Sequence, residues 1–152
     1  MSLEEIKAFP INDFADLECN LFLWTTNTFL DDSFDILKKW GFDFKIALVW
    51  NKTEGINTSG FTRMADFLLH ARRGKRTMDI SKKYIPQVFT EKWTTNSTKP
   101  NIIYELIKER FPEPRIDIFA RKRHEGFDAY GDQVEQEIQL TIHNSDEVKT
   151  NG

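Results

Sequence analysis

Three short, almost unbroken apolar runs mark the first half of the chain: Leu21-Phe22-Leu23-Trp24, Ile46-Ala47-Leu48-Val49-Trp50 and Phe67-Leu68-Leu69-His70-Ala71. Runs of this length between polar stretches predict strands buried on both faces, as in a parallel sheet covered by helices. Phe34, Leu37 and Trp40 fall on one face of a helix that Asp31 or Asp32 caps and Gly41 ends. Pro100 suits the first turn of another helix, whose apolar stripe is Ile103, Leu106, Ile107 and Arg110 or Phe111. Pro112 and Pro114 end that helix. Ile116, Ile118 and Phe119 then read as a strand, and Val88-Phe89-Thr90 as a short extended piece. The alternation of Ile138, Leu140 and Ile142 predicts a last edge strand. Ser2-x-x-Glu5 is a capping-box pattern, so a helical turn opens the chain. Asn12 or Asp13 caps a second short helical segment through Asp16. Asn51 to Gly60, polar with two glycines, reads as a mobile loop, and 94–98 and 126–134 read as further polar loops. Strands alternating with helices predict an α/β fold with a largely parallel sheet.

Composition adds limits rather than chemistry. A length of 152 residues suits one domain, placed at 1–143, with 144–152 as a disordered polar tail. The net charge of −3 means that any nucleic-acid affinity must come from local clusters. Cys19 is the single cysteine, which excludes an internal disulfide and reads as a buried, inert thiol. His70, His124 and His143 lack metal-ligand spacing, so no metal site is expected. No apolar run is long enough for a membrane span and no signal peptide is seen, so the expectation is a cytoplasmic protein without membrane contact.

Two stretches carry candidate chemistry, each with a plain alternative. Lys99 precedes a helix in a loop of small polar residues, where helix N-termini attract carboxylate or phosphate. From spacing alone the solvated loop lysine is the favoured reading. Arg72, Arg73, Lys75, Arg76, Lys82 and Lys83 face only Asp79 in sequence, and so could contact nucleic-acid phosphates or form a solvated face. The run Arg121 to His124 after the later strand has the same two readings. There is no nucleophile–base pattern, no Walker loop and no Gly-x-Gly-x-x-Gly run.

Seven segments in order resemble the methyltransferase-A family of adenine-N6 methyltransferases. They are Cys-Asn-Leu-Phe-Leu-Trp-Thr-Thr-Asn (19–27), Lys-Lys-Trp-Gly-Phe (38–42), Leu-Val-Trp-Asn-Lys (48–52) and Phe-Leu-Leu-His-Ala-Arg-Arg-Gly (67–74). Ser-Thr-Lys-Pro-Asn-Ile-Ile-Tyr (97–104), Ile-Asp-Ile-Phe-Ala-Arg (116–121) and Gly-Phe-Asp-Ala-Tyr-Gly-Asp-Gln-Val (126–134) complete the set. The resemblance implies a Rossmann-like sheet that binds S-adenosylmethionine and acts on adenine in DNA or RNA, with DNA favoured by likeness to short bacterial and phage members. It implies that Lys99 contacts the methionine carboxylate, that Arg121 and His124 frame the ribose, and that Asp132 and Gln133 read ribose and adenine. Asp132 stands where the family has Asn, which removes an N–H donor and adds a charge.

The family's catalytic signature, Asp-Pro-Pro-Trp, is absent from the sequence, which begins at a Met-Ser-Leu-Glu-Glu that follows the signature in the family. In the family its acceptors bond the adenine amine and its aromatic stacks the flipped base. The family strand bearing it lies between those near 116–120 and 20–25. The resemblance therefore implies an incomplete fold with the central catalytic strand missing, its place to be supplied by an N-terminal segment or a second methyltransferase subunit, or the two halves of the sheet to have closed up differently. The leading expectation is an N-terminally truncated adenine-N6 methyltransferase domain, inactive alone. The alternatives are a non-catalytic, nucleic-acid-binding partner subunit and a fragment without stable function.

Overall fold

The computed structural model describes residues 2–75, 84–92, 99–111, 115–118, 128–130 and 139–144. In chain order the elements are α1 (Leu3–Lys7), β1 (Cys19–Thr25), α2 (Leu30–Lys39), β2 (Asp43–Thr58), β3 (Phe61–Arg73), β4 (Val88–Thr90), α3 (Asn101–Arg110), β5 (Arg115–Ile118), β6 (Asp128–Tyr130) and β7 (Gln139–Asn144). Short 3₁₀ turns at Ile11–Asp13 and Asn27–Phe29 flank β1. The strands form one sheet in the order β4-β2-β3-β1-β7-β5-β6.

Strand β1 is buried at every position, which explains its unbroken apolar run. Its alternate residues serve two cores. Cys19, Leu21 and Leu23 pack with Ile6, Ile11, Ile36, Leu37, Trp40, Leu69 and Ile142. Phe22 and Trp24 pack on the other face with Leu48, Trp50, Leu68, Phe89, Ile103, Ile107 and Phe111. A fully buried leucine such as Leu23 contributes about 1.5–3 kcal/mol by leaving water. The sheet is thus a middle layer, with α1 and α2 on one side and α3 on the other.

Local signals set the helix ends. Ser2 Oγ accepts from the Glu5 N–H at 3.1 Å and donates to Glu5 Oε1 at 3.2 Å, so Ser2 is the expected N-cap of α1. At the end of α2, Gly41 takes φ +79°, the Phe42 N–H reaches the Leu37 carbonyl at 2.9 Å and the Gly41 N–H that of Lys38 at 3.0 Å, a Schellman closure. The start of α2 differs from expectation, since Phe29 is its N-cap and Asp31 and Asp32 lie in the first turn, where they favour the helix dipole. The second helical segment is only the 3₁₀ turn, entered from Pro10 without a side-chain cap. Pro100 is the N-cap of α3, and Ile103, Ile107 and Arg110 bury the expected stripe together with Tyr104.

Four expectations are corrected. The sheet is mixed, not largely parallel: of its six strand pairings among the described residues, only β2/β4 and β5/β6 are parallel. The stretch from Asn51 to Gly60 is no loop, because β2 and β3 run through it as a long hairpin. Its turn residues Ser59 and Gly60 have φ +51° and +83°, as a two-residue type I′ connection requires. Gly55 sits at a register shift where a Cβ would lie 2.1 Å from the Arg63 carbonyl oxygen, so its glycine serves a close backbone approach. Within the expected polar loop 126–134, Asp128–Tyr130 forms β6, paired parallel to β5.

The last strand is central, not an edge strand. β7 pairs antiparallel with β1 on one side, Leu21 opposite Ile142, and with β5 on the other, Ile116 opposite Ile142. β1 and β5 therefore run parallel to each other with β7 between them, in the position expected to be vacant. Pairing there satisfies two rows of backbone groups that would otherwise be costly to bury. Ile142 is fully buried in the core against α1 and α2.

Candidate functional site

At the carboxyl end of β1 the sheet gathers two lysines, one carboxylate and two indoles. Asp66 lies on β3 opposite Trp50 of β2, one residue beyond the last β1 pairing, Thr25 with Phe67. Its Oδ2 is 3.0 Å from Lys52 Nζ and 3.9 Å from Lys99 Nζ. Lys99 reaches it from the residue just before the Pro100 N-cap of α3, with a side chain 6% exposed. Each ammonium also lies against an aromatic face: Lys99 Nζ is 5.1 Å from the Trp24 ring and Lys52 Nζ 5.4 Å from the Trp50 ring. Trp24 meets Trp50 edge-on at 6.0 Å and Phe89 at 6.4 Å. The Trp50 indole N–H donates to the Glu91 carbonyl at 2.7 Å, which ties the cluster to the segment after β4.

Within these three charged groups, two cations face one anion in a largely desolvated place. A buried ammonium held in place beside a carboxylate and an indole is a pre-positioned donor, which a carboxylate can accept from. Lys99 stands next to the start of a ten-residue helix, where backbone N–H groups favour the same sign of ligand. The arrangement therefore suits a small anion held against aromatic surface. This fits the donor chemistry that the methionine carboxylate of S-adenosylmethionine needs.

Further along the same face, His70 Nε2 and Asn20 Oδ1 lie 3.0 Å apart, and Phe22 stacks on the His70 ring at 4.9 Å. Asn20 is 1% exposed. This pair joins strands β1 and β3, and the His70 and Phe22 rings both lie against Phe111.

The basic run sits elsewhere. Arg72 and Arg73 pair with Asn20 and Cys19, at the amino end of β1. Six strand steps separate that end from Thr25, about 20 Å. Arg73 donates from Nη1 to the Asp16 carbonyl at 3.3 Å and from Nη2 to the Trp40 carbonyl, with its guanidinium 4.3 Å from the Phe42 ring. Arg72 is half-buried and Lys75 exposed. Arg76, Lys82, Lys83, Arg121, His124, Asp132 and Gln133 lie outside the described residues. Among the described residues no cluster of three metal-ligating side chains occurs, and no helix is long and apolar enough to cross a membrane.

Of the three charged residues that the fold brings together here, the sequence singled out Lys99 and not Lys52 or Asp66. The available signal was slight: a single carboxylate directly before the apolar run at 67–71, and a lysine two residues past Trp50. Only pairing of β2 with β3 brings them together.

A family model described as MT-A70 matches residues 1–133. The Type II methyltransferase M.MunI of Mycoplasma sp is 27% identical over 137 residues, which cover 88% of this chain and 58% of that protein. The chain thus spans less than two thirds of that relative's length. A match running from the first residue through Lys99 and on to Gln133 takes in β1 to β6 and the lysine cluster, though not β7, and the chain belongs to the MT-A70 family.

Proposed function

We propose that this chain is the cofactor-binding part of an S-adenosylmethionine-dependent adenine-N6 methyltransferase on a Rossmann-like sheet, acting on nucleic acid, DNA before RNA. The observation that carries the reading is the Lys99–Asp66–Lys52 cluster at the carboxyl end of β1, in a member of the MT-A70 family. DNA follows from the likeness to short bacterial and phage members, and the name of the Mycoplasma relative, a Type II methyltransferase, agrees with methyl transfer.

Lys99 would hold the methionine carboxylate; Arg121, His124, Asp132 and Gln133 are assigned to the ribose and adenine of the cofactor. When bound, the cofactor supplies an electrophilic methyl group. Asp66 fixes both ammonium groups, and Trp24 and Trp50 keep water from the carboxylate subsite, which strengthens each charge interaction there. Arg72, Arg73, Lys75, Arg76, Lys82 and Lys83 are assigned to nucleic-acid phosphates; the contacts of Arg73 to two carbonyls give it a structural duty as well.

A second reading is favoured by one observation. The sequence has no Asp-Pro-Pro-Trp, and β7 fills the place between β1 and β5. A non-catalytic subunit beside an active partner would have that composition. Calorimetry with S-adenosylmethionine tests the cofactor site common to the first reading. Lys99→Ala should weaken binding about tenfold or more, the loss of one charge-assisted contact. Equal affinity in the variant removes Lys99 from the site, and no heat with the parent chain favours the second reading.

A further inference from the structure

We propose that the tip of the β2–β3 hairpin and the cleft beneath it hold one unstacked nucleobase of the substrate strand, apart from the site at Lys99. The inference rests on the nucleic-acid reading above. β2 and β3 continue together to Thr58 and Phe61, although β1 ends opposite Phe67. The hairpin therefore projects past the sheet as an arm, and it does so with apolar side chains in solvent. Phe61 is 77% exposed, Ile56 75% and Met64 37%. Exposed apolar residues clustered on a two-stranded arm mark a contact surface, not a core.

The cleft under the arm has a volume of about 450 Å³, within the range of about 300–1,000 Å³ of small-ligand sites. Asn27, Phe61, Thr62, Arg63, Met64 and Phe67 are among its lining residues. Arg63 Nη1 donates to Thr28 Oγ1 at 3.4 Å, which ties the arm to the 3₁₀ turn after β1. The wall thus offers an aromatic face, a carboxamide, hydroxyls and one guanidinium. A flat ring with a hydrogen-bonding edge and an attached phosphate matches each of these: the ring stacks on Phe61, the amide meets the base edge, and Arg63 meets the phosphate. A purely apolar partner would make no use of the carboxamide or of the guanidinium's remaining N–H donors.

Position supports the same occupant. Asp66 and Phe67 are neighbours on β3, so they face opposite sides of the sheet. The lysine cluster lies on the α3 side and the cleft on the α2 side, both at the carboxyl end of β1. A strand of nucleic acid crossing the end of β1 presents one nucleotide to each side. The base in the cleft would then be a neighbour of the target, and the arm would read or hold the flanking position.

The test uses the full chain and a fluorescein-labelled, single-stranded, adenine-containing oligodeoxynucleotide at low salt. Phe61→Ala and Arg63→Gln should each weaken binding at least about fivefold, the lower end of one stacked base or one phosphate contact, with unchanged circular dichroism. Phe61→Trp should keep the affinity, and its added emission should be quenched on binding. Parent-like affinity in both weakening variants, or an unquenched Trp at saturation, overturns the cleft while leaving nucleic-acid binding in place. A change of oligomeric state in Phe61→Ala with no change in oligonucleotide affinity assigns the arm to a protein partner and overturns it too. No binding by the parent chain overturns the nucleic-acid reading and the cleft together.

Discussion

Asp66 and Arg73 show how little a charge in sequence says about its work in the fold. Asp66 is shared by two ammonium groups, and its own side chain is 10% exposed. Asp66→Ala leaves Lys52 and Lys99 beside indoles without that carboxylate, and should destabilise the chain by about 2 kcal/mol or more. A urea titration measures this, and a midpoint equal to the parent's would show that the lysines are paired adequately without it. Arg73 stands in a run whose members look alike, yet its guanidinium reaches the carbonyls of Asp16 and Trp40 and lies over Phe42. Arg73→Lys keeps the charge and loses the planar fork, so it should lower stability by about 1–2 kcal/mol. If lysine restored full stability, charge alone would be what the site uses. The same variant should leave phosphate contacts nearly intact, which separates the two duties that one residue is assigned.

At the scale of elements, what the sequence announced was whatever is decided locally. Ser2 with Glu5, Gly41, Pro100 and the seven-residue β1 were all legible, because capping, helix termination and two-sided burial act over a few residues. Pairing was not legible. The arm of the hairpin carries Ile56, Phe61 and Met64 without apolar alternation, and its glycines look like loop residues until Gly60 is seen in the turn and Gly55 against the Arg63 backbone. The position of β7 was hidden for the same reason: alternating Leu140 and Ile142 fit an edge as well as a centre, and only register with β1 and β5 decides. Lys99 was singled out by the resemblance, and its burial beside Asp66 shows that it is no solvated loop lysine, whereas Lys52 and Asp66 needed that unseen pairing. Ile142 turns this into a measurement. It is fully buried opposite Leu21, so Ile142→Ala should cost about 2–4 kcal/mol, against well under 1 kcal/mol for truncation of a solvent-facing edge residue. A loss in the lower range would put β7 outside the sheet centre.

For the molecule as a whole the question is whether cofactor binding can become methyl transfer. Transfer to an adenine amine needs acceptors that fix the amine and an aromatic group that holds the extrahelical base, because orientation supplies much of the rate. The resemblance puts those groups on an Asp-Pro-Pro-Trp strand between β5 and β1. The sequence contains no such motif, and the strand standing there, Gln139–Asn144, carries no carboxylate. Asp13 and Asp16 are the early aspartates near a proline, but they precede β1 without the double proline, in and just after a 3₁₀ turn. We therefore expect no transfer of tritiated methyl from S-adenosylmethionine to adenine-containing DNA or RNA by the 152-residue chain alone. A segment carrying Asp-Pro-Pro-Trp, joined ahead of Met1 or supplied by a partner chain, should restore it. Because one sheet position cannot hold two strands, restoration should be stronger when residues 139–152 are removed from the extended chain than when they are kept. Equal activity with and without those residues would show that β7 does not compete for the catalytic position. Robust turnover by the unextended chain would place the catalytic groups elsewhere, with the Asp66 cluster the first to be mutated in search of them.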